Sequence, residues 1–125
     1  FYVRGQWLAW EGDHKFNKPL ADGQWHHLAI SYNPSNSKLT WYFDGSAIAD
    51  APASVTDVKD GSNARGPIDL SGAKGLIVAG NNQHVGVTGA GDDWIKSYTG
   101  AIDQFRLYGT VLTDAEVKAL YDGKE

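Results

Sequence analysis

The sequence predicts an all-β fold of short antiparallel strands, followed by one short C-terminal helix. Apolar and polar residues alternate over several short segments, which is the pattern of half-buried strands. Glycine-rich and proline-containing turns separate these segments. The chain of 125 residues contains 15 glycines, five tryptophans and six tyrosines, and this composition favours strands joined by turns over helices.

The bulk composition excludes several classes of function. A length of 125 residues fits a single domain over residues 1–125. The net charge of −4 argues against a nucleic-acid partner, since phosphate binding requires clustered positive charge. The absence of cysteine excludes disulfides and zinc–thiolate sites. The sequence has no run of about 18 apolar residues, so it predicts no membrane span.

The clearest strand pattern lies in the second quarter of the chain. Strands are predicted at 25–33 and 38–44, joined by a polar turn at 34–37. Leu28, Ile30 and Tyr32 share one face of the first of these strands. Asp44-Gly45 forms a tight turn into a third short strand at 46–49. The three strands are expected to form an antiparallel meander.

Further strands are predicted on both sides of this meander. Two short strands are expected within residues 1–11, broken near Gly5-Gln6. Later strands are predicted at 68–70, 75–80 and 97–109, and the strand at 75–80 is expected to be buried on both faces. Residues 12–24 and 81–93 are rich in glycine and polar residues and are expected to form loops.

The one clear helix follows Thr113. Thr113 is the expected N-cap, and Glu116 three residues later completes a capping box. Three apolar residues then share one helical face, namely Val117, Leu120 and Tyr121. Gly123 is expected to end the helix.

Several of these segments resemble the laminin-G-like domains of the concanavalin A-like superfamily. Residues 22–32 and 39–45 are similar to that family's G-x-W-H-H-v-A … l-Y-v-D-G signature. Residues 98–108 and 112–121 resemble its closing f-x-G-x-I-D-x-v-r-i-Y … L-s-x-x-E-i-x-x-L element, and 76–80 resembles its l-x-I-G strand. The resemblance spans about residues 7–122 and implies an antiparallel two-sheet jelly-roll sandwich.

The resemblance also implies that such domains have further strands before the point that corresponds to Phe1. We therefore expect the chain to correspond to the C-terminal part of a larger domain, or to a reduced variant. Another chain or segment is expected to supply the missing strands, because an unpaired sheet edge favours aggregation.

A glycan-binding surface is predicted at the loop that precedes the last strand. Amide and carboxylate groups bind sugar hydroxyls, and an aromatic ring covers the apolar face of a pyranose. The loop supplies this mixture in Asn81, Asn82, Gln83, His84, Asp92, Asp93 and Trp94. Trp10 and Tyr42 are further aromatic candidates. The alternatives are a solvated loop and aromatic side chains that serve the core.

Calcium is the expected metal, with Asp103 and Asp92 as candidate ligands. Asp103 shares a predicted face with Phe105 and Leu107, so it is expected to be buried and to need partners. Backbone N–H groups, an arginine or Ca²⁺ would satisfy it. The family resemblance implies a structural calcium near this position, bound by oxygen ligands from separate loops.

The tandem histidines form a weaker candidate site. Trp25 and His27 share a face, where they would contact a sugar or close the end of the sandwich. His26 and His27 are adjacent in a strand and point to opposite faces, which makes a shared metal geometrically poor.

No catalytic constellation is found in the sequence. A retaining glycosidase needs two carboxylates about 5 Å apart, and the E-x-D-x-x-E signature of the superfamily's glucanases is absent. We therefore expect a carbohydrate-binding or adhesion module of a secreted or cell-surface protein, assisted by calcium and not an enzyme. Its partner would be a glycan or cell-surface polysaccharide. The alternatives are a structural protein–protein interaction domain and a fragment of a polysaccharide-active glycoside hydrolase or lyase.

Overall fold

The structure is a computed structural model that describes residues 2–3, 6–8, 17–73, 75–80 and 98–123. Within them, all strand pairing is antiparallel, which confirms the all-β class. In chain order the elements are β1 (Tyr2–Val3), β2 (Gln6–Trp7), β3 (Leu28–Asn33), β4 (Lys38–Phe43), β5 (Ser46–Ala47), α1 (Ala53–Thr56), β6 (Lys59–Asp60), β7 (Asn63–Ala64) and α2 (Asp114–Asp122). The chain divides into two compact units, one of Phe1–Ile68 with Tyr108–Glu125 and one of Asp69–Leu107.

The predicted meander is confirmed as a three-stranded sheet in the order β3-β4-β5. β3 and β4 pair along their full length, from Leu28 opposite Phe43 to Asn33 opposite Lys38. β3 begins three residues later than predicted. The N–H of His27 donates to the side chain of Asp44 at 2.9 Å instead of to a backbone carbonyl of β4, so the regular ladder begins at Leu28.

The turn between β4 and β5 has the conformation that its sequence predicts. Asp44 and Gly45 have φ angles of 48° and 76°. Positive φ at both central residues is typical of a type I′ hairpin turn, which suits the right-handed twist of the flanking strands. Asp-Gly is among the favoured sequences for this turn, because glycine has no Cβ and aspartate tolerates the left-handed region.

The core of the first unit lies against one face of the meander. Leu8, Leu39 and Val58 form a buried cluster, and Tyr32 and Trp41 pack against it. The Trp41 indole N–H also donates to the carbonyl of Val55 at 2.7 Å, which satisfies the polar atom of a large side chain next to the core.

Residues 53–64 contain regular structure that the sequence did not predict. α1 is a single helical turn with Val55 buried, and β6 and β7 form a two-stranded hairpin. The Gln6 side chain fixes this segment to β2 by donating to the carbonyl of Asp57 at 2.8 Å and accepting from the N–H of Lys59 at 2.7 Å. These long-range contacts stabilise the segment, and the local sequence does not encode them.

The C-terminal helix is confirmed in detail. The Thr113 hydroxyl and the Glu116 side chain form the reciprocal hydrogen bonds of a capping box. Val117 is 1% exposed, and the N–H of Gly123 bonds to the carbonyl of Ala119 at 2.9 Å at the predicted end. No helix in the described part of the chain is long and apolar enough to span a membrane.

The strands predicted at 68–70, 75–80 and 97–109 do not form in the described residues. Leu76 and Leu107 are 63% and 75% exposed, so the burial expected of these segments is also wrong. Ala79 and Gln104 have positive φ angles of 63° and 54°, which interrupt an extended backbone. An apolar segment becomes a strand only when a neighbouring strand accepts its backbone hydrogen bonds.

Candidate functional site

A cleft of about 310 Å³ lies beside the turn between β4 and β5. All of its lining residues belong to the first unit. They are Lys18, Phe43, Asp44, Ser46, Ala47, Ile48, Ala49 and Asp50.

The cleft is formed where the chain reverses twice after β4. The Asp44-Gly45 turn sends the chain back along β4, and the N–H of Ile48 bonds to the carbonyl of Trp41 at 2.8 Å. Ile48 is 9% exposed and anchors this return. A second turn follows, closed by the Ala51 N–H and the Ile48 carbonyl at 3.3 Å. These two turns bring Asp44 and Asp50 to the same cleft.

The cleft combines charged groups, a hydroxyl and an aromatic ring. Its lining residues include Lys18, the aspartates Asp44 and Asp50, and Ser46. Phe43 is half-buried and lines the same surface. Residues of these types can form hydrogen bonds with a small polar ligand and cover an apolar face, as a saccharide ring requires.

His26 lies next to the cleft residues Phe43 and Asp44, between two carboxylates. Its Nδ1 is 2.9 Å from Asp44 Oδ2 and its Nε2 is 3.1 Å from Asp22 Oδ1. Its ring stacks on Phe43 with centroids 4.8 Å apart. Two of the residues that line the cleft are therefore in direct contact with this histidine.

These contacts favour the charged form of the imidazole. The hydrogen bond with Asp44 raises the pKa of His26 above its ordinary value; desolvation opposes it, and Asp22 adds to the rise. The pKa of Asp22 is lowered, first by the hydrogen bond from the Gln24 N–H and also by His26. Asp44 is further held by the N–H of His27, which donates to Oδ1 at 2.9 Å.

The tandem histidines have different surroundings. His27 faces the ring of Tyr121 in α2, with centroids 6.0 Å apart, while His26 contacts Asp22, Asp44 and Phe43. Trp25 is 65% exposed in the described surface. Its ring is exposed among the described residues, and its role as a sugar contact stays a prediction.

The predicted glycan-binding loop lies outside the described residues. The residues concerned are Trp10, Asn81, Asn82, Gln83, His84, Asp92, Asp93 and Trp94. Their assignment as ligand-binding residues stays a prediction.

Tyr42, proposed from the sequence as an aromatic platform, is instead part of the interior. It is 4% exposed, and its hydroxyl donates to Asp114 at 2.7 Å. Burial, followed by the contact with Asp114, raises the pKa of Tyr42 to about 12. The expectation of a ligand platform is wrong, and the alternative that this side chain serves the core agrees with its burial and its contact with α2.

Asp103 is exposed, and the expectation of a buried carboxylate is wrong. Its side chain accepts from the N–H of Gln104 at 2.7 Å, and the positive φ of Gln104 interrupts the predicted strand. Calcium requires about six to eight oxygen ligands. Within the described residues no group of three or more His, Asp or Glu could hold a metal ion, and the assignment of Asp103 as a calcium ligand stays a prediction. Asp92 lies outside them.

The sequence did not single out Lys18, Ser46 or Asp50 as site residues. Lys18 lies in a segment identified only as a loop, and Asp50 follows the last predicted strand of the meander. The Asp-Gly turn was the one available signal, because it places the following residues beside β4. The tertiary structure determines whether a lysine from a separate loop comes close to that turn.

Comparison with known proteins identifies the family of the chain. The chain belongs to the concanavalin A-like lectin/glucanases superfamily, since a laminin G family model with that description matches residues 1–118. No curated protein sequence matches it significantly.

A structural likeness supports the fold. The chain is similar to a crystal structure of an S-layer domain-containing protein (residues 221–444) from Clostridium thermocellum ATCC 27405, with a TM-score of 0.55 and 21% sequence identity. The match covers 84% of this chain and 42% of that chain. The chain thus spans less than half of that structure, and the likeness at this identity concerns the fold.

Proposed function

We propose that this chain is a non-catalytic carbohydrate-binding or adhesion module of a secreted or cell-surface protein. The cleft beside the β4–β5 turn carries this proposal. A lysine, two aspartates, a serine and a phenylalanine are among the residues that line its volume of about 310 Å³, which is at the lower end of the range for small-ligand sites. Membership of a superfamily that includes lectins agrees with this chemistry.

The same proposal includes the complete sandwich fold and the cellular location of the chain. We propose that the meander is part of a two-sheet jelly-roll sandwich, with further strands contributed by another segment or chain. The likeness to an S-layer domain-containing protein is compatible with a place at the cell surface. Calcium assistance through Asp92 and Asp103 stays a prediction of the sequence.

A second candidate function is supported by the exposed side of β3. β3 is an edge strand of the described sheet, and Leu28 and Ile30 on it are 57% and 48% exposed. An edge strand with apolar side chains is suited to pairing with a strand of another protein. This observation favours a structural interaction domain.

Glycan arrays with and without EDTA separate these functions. A carbohydrate-binding module gives signals on defined glycans, and a loss of signal in EDTA that added calcium restores would support the calcium prediction. Silence across the array, together with binding to a protein partner, would favour the interaction domain. Turnover of any polysaccharide would contradict the non-catalytic assignment.

Titration calorimetry on a glycan from the array locates the site. Lys18→Ala and Asp50→Ala are expected to weaken binding, whereas Lys59→Ala is the matched control, since Lys59 is an exposed lysine that does not line this cleft. Trp94→Ala tests the loop predicted from the sequence in the same assay. If only Trp94→Ala reduces the affinity, the loop and not the cleft is the binding site.

A further inference from the structure

One wall of the cleft comes from an exposed segment. Residues 17–24, here called the strap, are exposed at every position, and Leu20 is 50% exposed, so none of its side chains is fully buried. The strap nevertheless contributes Lys18 to the cleft. Among the described contacts, a hydrogen bond between His26 Nε2 and the acceptor Asp22 Oδ1, at 3.1 Å, joins the strap to a residue outside it.

His26 is the fixed partner in this contact. Its side chain is only 14% exposed. It stacks on Phe43 at 4.8 Å and contacts Asp44 at 2.9 Å. Asp44 is itself fixed by the N–H of His27. Asp22, with 36% of its side chain exposed, is the partner that can leave at the lower cost, because water can replace its hydrogen bond.

The number of imidazole protons decides whether both carboxylates are bound. A carboxylate only accepts hydrogen bonds, so contact with Asp22 and Asp44 together requires an N–H at both ring nitrogens. Only the imidazolium has two. A neutral ring has one N–H and directs a lone pair at the other carboxylate, which is repulsive. Asp44 also accepts a hydrogen bond from the N–H of His27, and the His26 ring stacks on Phe43 beside Asp44. The neutral His26 ring therefore keeps its hydrogen bond with Asp44 and loses the one with Asp22.

We propose that protonated His26 fastens the strap at the cleft and that deprotonation of His26 releases it. The charged groups involved are Asp22 and Lys18 from the strap and Asp44 from the β4–β5 turn. Release moves Lys18 away from the cleft. The cleft therefore has its full lining at low pH and lacks Lys18 at high pH. The consequence for ligand binding rests on the proposed function, whereas the movement of the strap does not.

The pH range of the transition follows from the same contacts. Because Asp44, assisted by Asp22, raises the pKa of His26, the fastened form is fully present below the ordinary histidine pKa of about 6.5. It is lost as the pH rises through the raised pKa of the folded protein. The transition is therefore expected above the range in which an exposed histidine titrates.

NMR of the full 125-residue chain tests the movement without a ligand. The His26 Hε1 shift reports protonation, and relaxation of the Leu20 methyl groups reports the order of the strap, with the Val111 methyl groups as an internal control. Leu20 is expected to lose order over the pH range in which His26 titrates, while Val111 does not change. A Leu20 order that stays constant through the His26 titration would overturn the proposal.

Two variants assign the effect to the Asp22–His26 contact. His26→Gln is expected to abolish the pH dependence at Leu20. Asp22→Ala, an exposed change that leaves the Asp44 contact in place, is expected to release the strap at every pH and to lower the titration midpoint of His26. A pH-dependent Leu20 that persists in both variants contradicts the mechanism.

Glycan affinity, measured at both ends of the pH range, separates this inference from the proposed function. If both are right, the affinity changes several-fold with pH in the wild type and is constant in His26→Gln. If the strap switches but no glycan binds, the proposed function fails and the strap mechanism stands. If a glycan binds while Leu20 does not respond to pH, the strap mechanism fails alone.

Discussion

The hydroxyl of Tyr42 in β4 donates a 2.7 Å hydrogen bond to the carboxylate of Asp114, the first residue of α2. This contact joins residues 72 positions apart and connects the meander to the helix. Tyr42 is 4% exposed, whereas Asp114 is exposed. The hydrogen bond therefore forms at the boundary of the core, with its donor inside.

Tyr42→Phe is expected to lower the free energy of unfolding by about 1 kcal/mol, the net contribution of one such hydrogen bond. The loss is not larger because water can solvate Asp114 in the variant. Urea unfolding measures the difference. Tyr108→Phe is the matched control, since Tyr108 is 43% exposed, and it should change stability by less than about 0.5 kcal/mol. Equal effects of the two variants would show that the Tyr42–Asp114 bond contributes nothing specific.

The same residue predicts an alkaline transition. Burial, assisted by Asp114, raises the pKa of Tyr42 from 10.0 to about 12 in the folded protein. A raised pKa stabilises the fold below the unfolded value, and this contribution is lost as the pH rises from about 10 through about 12. The stability difference between wild type and Tyr42→Phe should therefore shrink over this range in urea unfolding. A constant difference from pH 9 to pH 12 would be evidence against the raised pKa.

Gly45 is expected to be the least replaceable glycine of the described turns. It has a φ of 76°, and a Cβ at this position would lie 2.8 Å from the Cβ of Tyr121 in α2. Gly61 has a φ of 59° with nothing within 4 Å, so Gly61→Ala measures backbone strain alone, about 1–2 kcal/mol. Gly45→Ala should lose about 1–3 kcal/mol more through overpacking. Equal losses in thermal unfolding would mean that the close approach to Tyr121 is relieved without cost.

Ile30→Lys is expected to reduce self-association of the chain. β3 is an edge strand in the described sheet, and Ile30 is 48% exposed on it. A charge on an edge strand opposes pairing between sheets. Val111→Lys is the control, because Val111 is 43% exposed but lies outside the strands. Light scattering at increasing concentration should distinguish the two variants, and equal scattering would show that the β3 edge is not where molecules associate.

The features that the sequence predicted correctly depend on short-range chemistry. The Asp44-Gly45 turn requires positive φ angles, which these two residue types tolerate. The Thr113–Glu116 capping box joins residues only three positions apart. Each signal specifies its structure without reference to the rest of the chain.

The features that were missed depend on distant partners. The segments around Leu76 and Leu107 have strand-like apolar patterns, but the described residues contain no ladder to pair them. α1 and the β6–β7 hairpin show the reverse case, because the Gln6 side chain stabilises a polar segment from 51 and 53 residues away. Similarly, Lys18 meets Asp44 and Asp50 at the cleft only through the tertiary fold.

We propose above all that the cleft beside the β4–β5 turn binds a saccharide. Calorimetric titration of one array-identified glycan into the wild type, Lys18→Ala and Lys59→Ala tests it most directly. We expect roughly tenfold weaker binding in Lys18→Ala, which corresponds to about 1.4 kcal/mol, and unchanged binding in Lys59→Ala. Equal affinities of all three proteins for that glycan would contradict it.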